Sequence, residues 1–251
     1  MRTVALIPAR WESSRFPGKP LAPILGRPMI QHVYERALAI DGVDEVLAAT
    51  DSPAVEKAVR AFGGRALMTS PGHLSGSDRL AEAADLLGLS AEDVVINVQG
   101  DQPAFEPGQA ASLARALREE AGLEMSTLAV ALTEPGEIRN PNHVKVVFDA
   151  NQMALYFSRA PIPWPRDGGP GEYFKHIGLY AYRAGFLRRF VSLPPGRLEQ
   201  IEKLEQLRAL ENGARIKVLI GRSISPEVDV PEDVAAAEAA LSAALKAGEY
   251  F

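Results

Sequence analysis

Three cations, Arg10, Arg15 and Lys19, fall within ten consecutive positions of the segment IPARWESSRFPGKPL, which runs from Ile7 to Leu21. Gly18 allows a tight backbone path there. Cations grouped beside backbone amides can embrace several phosphate oxygens at once. The segment contains neither GxxxxGK[ST] nor GxGxxG, so a P-loop ATPase or a dinucleotide-binding dehydrogenase is not expected. A solvated loop with incidental charge is the plain alternative. The position of the loop directly after the first strand-like run favours an anion site.

Two carboxylates stand out as possible partners of such an anion. NVQGDQP, Asn97 to Pro103, ends an apolar run in Gly100 and Asp101. A carboxylate at a strand end suits a hard divalent cation, which prefers oxygen ligands and keeps waters and substrate phosphates in its shell. Alone, Asp101 could equally cap a turn. EVDVPEDV supplies Asp229 as a second carboxylate, while Glu232 and Asp233 fall in the first turn of the closing helix, where acids complement the helix dipole.

HLSGSDR, His73 to Arg79, could read a base or ribose, although Ser75 or Ser77 could serve only as a helix N-cap. YFSR and HIGLYAYR put Arg159 and His176 on strands, where a single histidine is ordinarily a satisfied structural residue. In EKLEQLRALENG, Glu205 and Gln206 read as the polar face of a helix.

The elements that must position these residues follow from periodicity. Strands are expected at Thr3–Ile7, Glu45–Thr50, Arg65–Met68, Val94–Val98 and Met125–Leu132. Helices are expected at Met29–Ile40, about Ala54–Phe62, Ser75–Leu87 and Pro107–Glu120. Strands alternating with helices of this length indicate a parallel sheet covered on both faces, with ligands gathering at the strands' carboxyl ends. The opening loop, Asp51 and Asp101 all leave such ends. After residue 133 the pattern turns to strands, at Val144–Phe148, Ala154–Ser158 and YFKHIGLYAYR, separated by the loop APIPWPRDGGPG. A helix over Glu199–Glu211, a strand at Ile216–Ile220 and a closing helix at Pro231–Lys246 complete the reading.

The chain has 251 residues, a net charge of −5 and an apolar fraction of 47%. The acidic balance argues against bulk nucleic-acid binding, so an anionic ligand must be held by a local cluster. There is no cysteine, which excludes disulfides and thiolate metal sites and fits a reducing cytoplasm. No secretory signal is expected after Met1, and no apolar run approaches the roughly 20 residues that span a bilayer.

IPARWESSRFPGKPL, ATDS, HLSGSDR, NVQGDQP, NPNHVKVV, YFSRAPIPW, HIGLYAYR, KLEQLRALENG and VDVPED occur in this order over nearly the whole chain. Together they closely resemble the 3-deoxy-manno-octulosonate (KDO) cytidylyltransferases, or CMP-KDO synthetases. The resemblance implies synthesis of CMP-KDO and diphosphate from CTP and KDO, with magnesium, for lipopolysaccharide assembly. It implies an α/β, nucleotide-diphospho-sugar transferase-like (Rossmann-like) fold with a mostly parallel sheet, flanking helices and an inserted β-rich segment. One domain would span residues 1–251, with 133–190 contributing acceptor contacts and a homodimer interface.

Carried over position by position, the resemblance assigns Ala9, Arg10 and Lys19 to CTP, assisted by Arg15, and places Ser75, Asp78 and Arg79 in the nucleotide site. Asp101 and Asp229 would ligate magnesium and, with Arg10 and Lys19, form the catalytic set. Arg159, His176, Tyr180, Glu205 and Gln206 would contact the sugar acid, the Arg and His suiting its carboxylate. Two departures are visible: Gln102 stands where the family usually has Glu, and Val230 where it usually has Thr. Gln102 removes a negative charge beside the metal or sugar site and leaves two further acceptors open, an 8-amino KDO analogue and a sialic acid. A catalytically silent nucleotide-binding module would have lost the metal carboxylates, and both are present.

Overall fold

In a computed structural model, residues 1–12, 15–169, 171–222 and 225–246 are described. Ser13 and Ser14 of the opening loop and Pro170 of the Pro/Gly-rich loop lie outside them. In chain order the first half comprises β1 (Thr3–Ala9), β2 (Pro23–Ile24), β3 (Arg27–Pro28), α1 (Met29–Leu38), β4 (Glu45–Thr50), α2 (Pro53–Ala61), β5 (Ala66–Met68), α3 (Gly76–Leu86), β6 (Val94–Asn97) and α4 (Pro107–Glu119). The second half comprises β7 (Met125–Leu132), α5 (Pro135–Arg139), β8 (Lys145–Phe148), β9 (Ala154–Ser158), β10 (Tyr173–Arg183), α6 (Ala184–Ser192), α7 (Arg197–Glu202), α8 (Gln206–Glu211), β11 (Ile216–Ile220) and α9 (Val234–Lys246).

One sheet organises the chain, in the order β11-β7-β10-β6-β1-β4-β5, with the β8–β9 hairpin attached to the start of β10. β1 pairs in parallel with β4 and β6, and both of its faces are covered, which is why it reads as a continuous apolar run. On one face Leu80 and Ala84 of α3 pack with Phe186 and Phe190 of α6 and Leu207 of α8. On the other, Ile30 and Val33 of α1 pack with Val55 of α2 and Leu113 of α4. β10 enters antiparallel between β6 and β7, so its first residues pair with the carboxyl-terminal half of β7 and extend beyond the carboxyl end of β6. Among the described residues no helix is long and apolar enough to cross a membrane.

Several local features depart from the periodic reading. β2 and β3 form a short hairpin whose turn, Leu25-Gly26, has φ of 47° and 76°, the paired positive values of a type I′ turn. The α6 helix follows β10 without a connecting loop and buries Phe186, Leu187 and Phe190. The single helix expected over Glu199–Glu211 is two, α7 and α8, broken where Lys203 adopts a left-handed φ of 55°. The break turns the carbonyls of Glu202 and Lys203 toward the guanidinium of Arg159, which donates to them at 2.7 and 3.4 Å, so their hydrogen bonds are recovered outside the helix.

The tops of β1 and β6 come close together at Gly100, where a Cβ would lie 2.9 Å from the backbone oxygen of Pro8. Neither backbone can yield without moving the loops that carry Arg10 and Asp101. Gly100→Ala should therefore cost about 1–3 kcal/mol of stability, the usual range for overpacking. It should also weaken nucleotide binding, which urea unfolding and calorimetric titration with CTP would check.

Candidate active site

Beyond the carboxyl ends of β1 and β6 lies a cavity of about 510 Å³ lined by Ala9, Arg10, Arg15, Lys19, Asp101 and Asp229, among others. Lys19 is its centre. Its Nζ lies 2.8 Å from Asp101 and 3.3 Å from Asp229, and Arg15 reaches the second oxygen of Asp229 at 3.3 Å. The loop delivers Lys19 through Gly18, at φ 71°, and the indole of Trp11 lies against that glycine. Arg10 is exposed, with its guanidinium 3.4 Å from the carbonyl of Leu74. Two carboxylates and three cations thus face one space, as the spacing of the opening loop and the two acidic motifs led one to expect. The carboxylates are hard oxygen donors converging on a single cationic group, a donor set that fits a divalent ion completed by phosphate oxygens and water.

HLSGSDR contributes less directly. Ser75 and Asp78 cap α3 reciprocally: the Ser75 hydroxyl accepts from the Asp78 amide at 3.1 Å, and the Asp78 carboxylate accepts from the Ser75 amide at 3.0 Å. Gly76 is the member of this motif that lines the cavity. Arg79 is fully buried, donating to Asp51 at 2.6 Å and to the Thr69 hydroxyl at 2.5 Å. Asp51 in turn stands 3.5 Å from the backbone N–H of Trp11. Arg79 therefore tethers the end of β4 beneath the cationic loop and does not itself line the cavity.

A second cavity, of about 430 Å³, opens at the start of β10 and is lined by Lys175, His176, Gly178 and Glu227, among others. Gln99, which lines the first cavity, donates to the carbonyl of Gly178 at 2.8 Å and links the two. The Nε2 of His176 lies 3.0 Å from the hydroxyl of buried Thr127, which also donates to the carbonyls of Ile177 and Leu179 at 3.2 and 3.0 Å. With its proton given to a carbonyl, that hydroxyl accepts from the N–H of a neutral imidazole. Burial pushes the His176 pKa down to about 3, so the ring is a neutral hydrogen-bonding group.

His176 begins a row of rings. It lies edge-on to Phe157 at 5.0 Å and beside Tyr180 at 5.3 Å, and Tyr180 stacks on Tyr182 at 5.7 Å. Burial raises the Tyr180 phenol well above its ordinary value, with Tyr182 and Glu205 adding to the effect. Glu205 accepts from the Ser77 hydroxyl at 2.7 Å, and burial raises its pKa. Gln206 is buried beside it at the start of α8.

Arg159 is committed to the scaffold. Besides the two carbonyls at the α7–α8 break, it donates to the carbonyl of Pro141 at 3.0 Å, and its own carbonyl accepts from buried Lys145 at 2.6 Å. Lys145 also donates to the carbonyls of Asn140 and His143, and burial lowers its pKa.

Comparison with known proteins settles the family. A family model described as cytidylyltransferase matches residues 4–216. The chain belongs to the cytidylyltransferase family. This cytidylyltransferase is 54% identical over 235 residues, covering 93% of the chain and 95% of the relative, to the 3-deoxy-manno-octulosonate cytidylyltransferase of Syntrophus aciditrophicus. It is 51% identical over 243 residues, covering 96% and 99%, to the 8-amino-3,8-dideoxy-manno-octulosonate cytidylyltransferase of Shewanella woodyi. Its fold superposes with a TM-score of 0.92, at 45% identity over 97% and 99% of the two chains, on a solved CMP:2-keto-3-deoxy-manno-octonic acid synthetase complexed with CTP. The nucleotide-diphospho-sugar transferase-like fold and the nucleotidyltransferase class expected from the motifs both hold.

Gln99, Lys175 and Glu227 are polar residues that line these two cavities and that sequence reasoning did not single out. Gln99 and Glu227 each lie two residues from a carboxylate singled out by motif, so the signal was adjacency. Lys175 precedes His176 inside a segment already noted. Two measurements check the electrostatics and the tether. The ring nitrogens of His176, followed by 15N NMR, should show no titration between pH 5 and 8. Arg79→Met, which strands the partly buried Asp51 carboxylate, should lower unfolding stability by about 3 kcal/mol, read from urea melts.

Proposed function

We propose that this cytidylyltransferase transfers CMP from CTP to the anomeric 2-hydroxyl of a 3-deoxy-manno-octulosonic acid, releasing diphosphate. The observation that carries the reading is the first cavity, where Arg10, Arg15 and Lys19 converge on Asp101 and Asp229 at the mouth of β1 and β6. The names of the relatives and the CTP of the solved neighbour support the choice of substrates.

The chemistry follows from these residues. The 2-hydroxyl oxygen forms a bond to the α-phosphorus as the bond from that phosphorus to the bridging oxygen breaks. Diphosphate leaves with the electron pair, and the hydroxyl proton passes to solvent. Arg10, Arg15 and Lys19 sit where they can hold the triphosphate and spread over the charge that grows on the leaving group, a preorganised stabilisation that is usually the largest catalytic contribution. Triphosphate oxygens compete for Lys19 and Arg15, which now neutralise the two aspartates, and so free those carboxylates. Asp101 and Asp229 would then hold magnesium, which supplies electrophilic polarisation of the phosphate. The second cavity, joined to the first through Gln99 and Gly178, takes the sugar acid against neutral His176, and holding both substrates in register raises their effective concentration.

In the same reading the enzyme works in the cytoplasm and its product serves lipopolysaccharide assembly. It acts as a homodimer through the segment 133–190, where Trp164 is 80% exposed and Leu155 61% exposed. A monomer in sedimentation equilibrium would exclude the dimer.

The central test uses purified protein, CTP, magnesium and 3-deoxy-manno-octulosonate, with diphosphate as the readout. Asp101→Asn and Asp229→Asn should each lower kcat by at least about 100-fold, with unchanged circular dichroism. Rates near the parent's in either variant would refute the assignment of the carboxylates.

A further inference from the structure

The second cavity offers one charge of each sign, from Lys175 and Glu227, and no salt bridge joins the two among the described residues. The Glu227 carboxylate is held instead by Gln102, whose side-chain Nε2 donates to it at 2.9 Å. Gln102 is 4% exposed, and its backbone is fixed by a bond from its own N–H to Gln99 and one from Phe105 to its carbonyl. The segment carrying Glu227 is tied to the same turn, because the Val228 N–H donates to the Asp101 carbonyl at 2.9 Å. A carboxylate at position 102 would set two like charges against each other. The neutral amide removes that repulsion and leaves a negative charge facing the cavity from position 227.

The placement matters for the acceptor. Glu227 lies two residues before Asp229, a span of at most about 7 Å of extended chain, and the two line different cavities. A 3-deoxy-octulosonic acid carries its reacting 2-hydroxyl at one end of the molecule and C8 at the other. With the hydroxyl directed at the phosphates, the C8 end extends into the second cavity. A hydroxyl at C8 can hydrogen-bond to Glu227, but a primary amine there, protonated near neutral pH, also places a positive charge against the carboxylate and so adds an ion pair to the hydrogen bond.

We propose that Glu227, positioned by Gln102, is a specificity-determining residue that receives a primary amine at C8 of the sugar acid. This rests on the cytidylyltransferase reading above and narrows it: 8-amino-3,8-dideoxy-manno-octulosonate is a better acceptor than the 8-hydroxy acid.

The experiment compares kcat/KM for the two acids with CTP and magnesium, in the parent protein and in Glu227→Gln. The parent should prefer the aminated acid by about 10-fold or more, as one added ion pair in a partly enclosed cavity implies. Glu227→Gln should reduce that ratio about 10-fold, and Glu227→Asp should restore part of it. Calorimetric titration of the amino acid into the protein with CMP should show the same loss of affinity in Glu227→Gln. A purely structural role would lower both acids alike and leave the ratio unchanged, which would overturn the assignment, as would a parent that shows no preference. No diphosphate with either acid would instead overturn the cytidylyltransferase reading on which the assignment depends.

Discussion

The ammonium of Lys19, held between Asp101 and Asp229, ties together three parts of the chain that are far apart in sequence: the loop after β1, the end of β6 and the segment before α9. Lys19 and Asp229 are 210 positions apart. Two carboxylates brought this close would repel each other without a cation between them. The same cationic demand that Lys19 satisfies suits a metal-bound triphosphate. A single electrostatic constraint thus closes the architecture and prepares the site for its substrate.

Much of what surrounds that cluster exists to hold it. β1 and β6 are buried parallel neighbours, so the loops leaving them emerge side by side, and Gly100 lets the two backbones touch. Arg79, buried beneath, pairs with Asp51 and so braces the end of β4 next to the cationic loop. An arginine suits this post because its planar fork satisfies a carboxylate and a hydroxyl together.

The surroundings of the second cavity are built by a different device. There, backbone carbonyls take the place of carboxylates: Lys145 and Arg159 each collect several of them, joining the β8–β9 hairpin, the loop before it and the break between α7 and α8. That break turns Glu205 toward Ser77 and away from the exposed helix face on which periodicity would put it. The aromatic row from Phe157 through His176 and Tyr180 to Tyr182 then forms a wall against which a histidine stays neutral.

What could be read from the chain alone was whatever depends on local pattern. The apolar runs of β1, β4, β6 and β7 announced a buried parallel sheet, and Arg10, Arg15, Lys19 and Asp101 were legible because strand-end loops carry ligands in such sheets. Motif order supplied the family. Tertiary structure decided the rest, because burial and long-range pairing are set by neighbours that no local window contains. It made Arg79 a buried tether, spent Ser75 and Asp78 on a helix cap, and kept His176 neutral. It also set Gln102 against Glu227 across 125 positions, a pairing of amide and carboxylate that no local window contains.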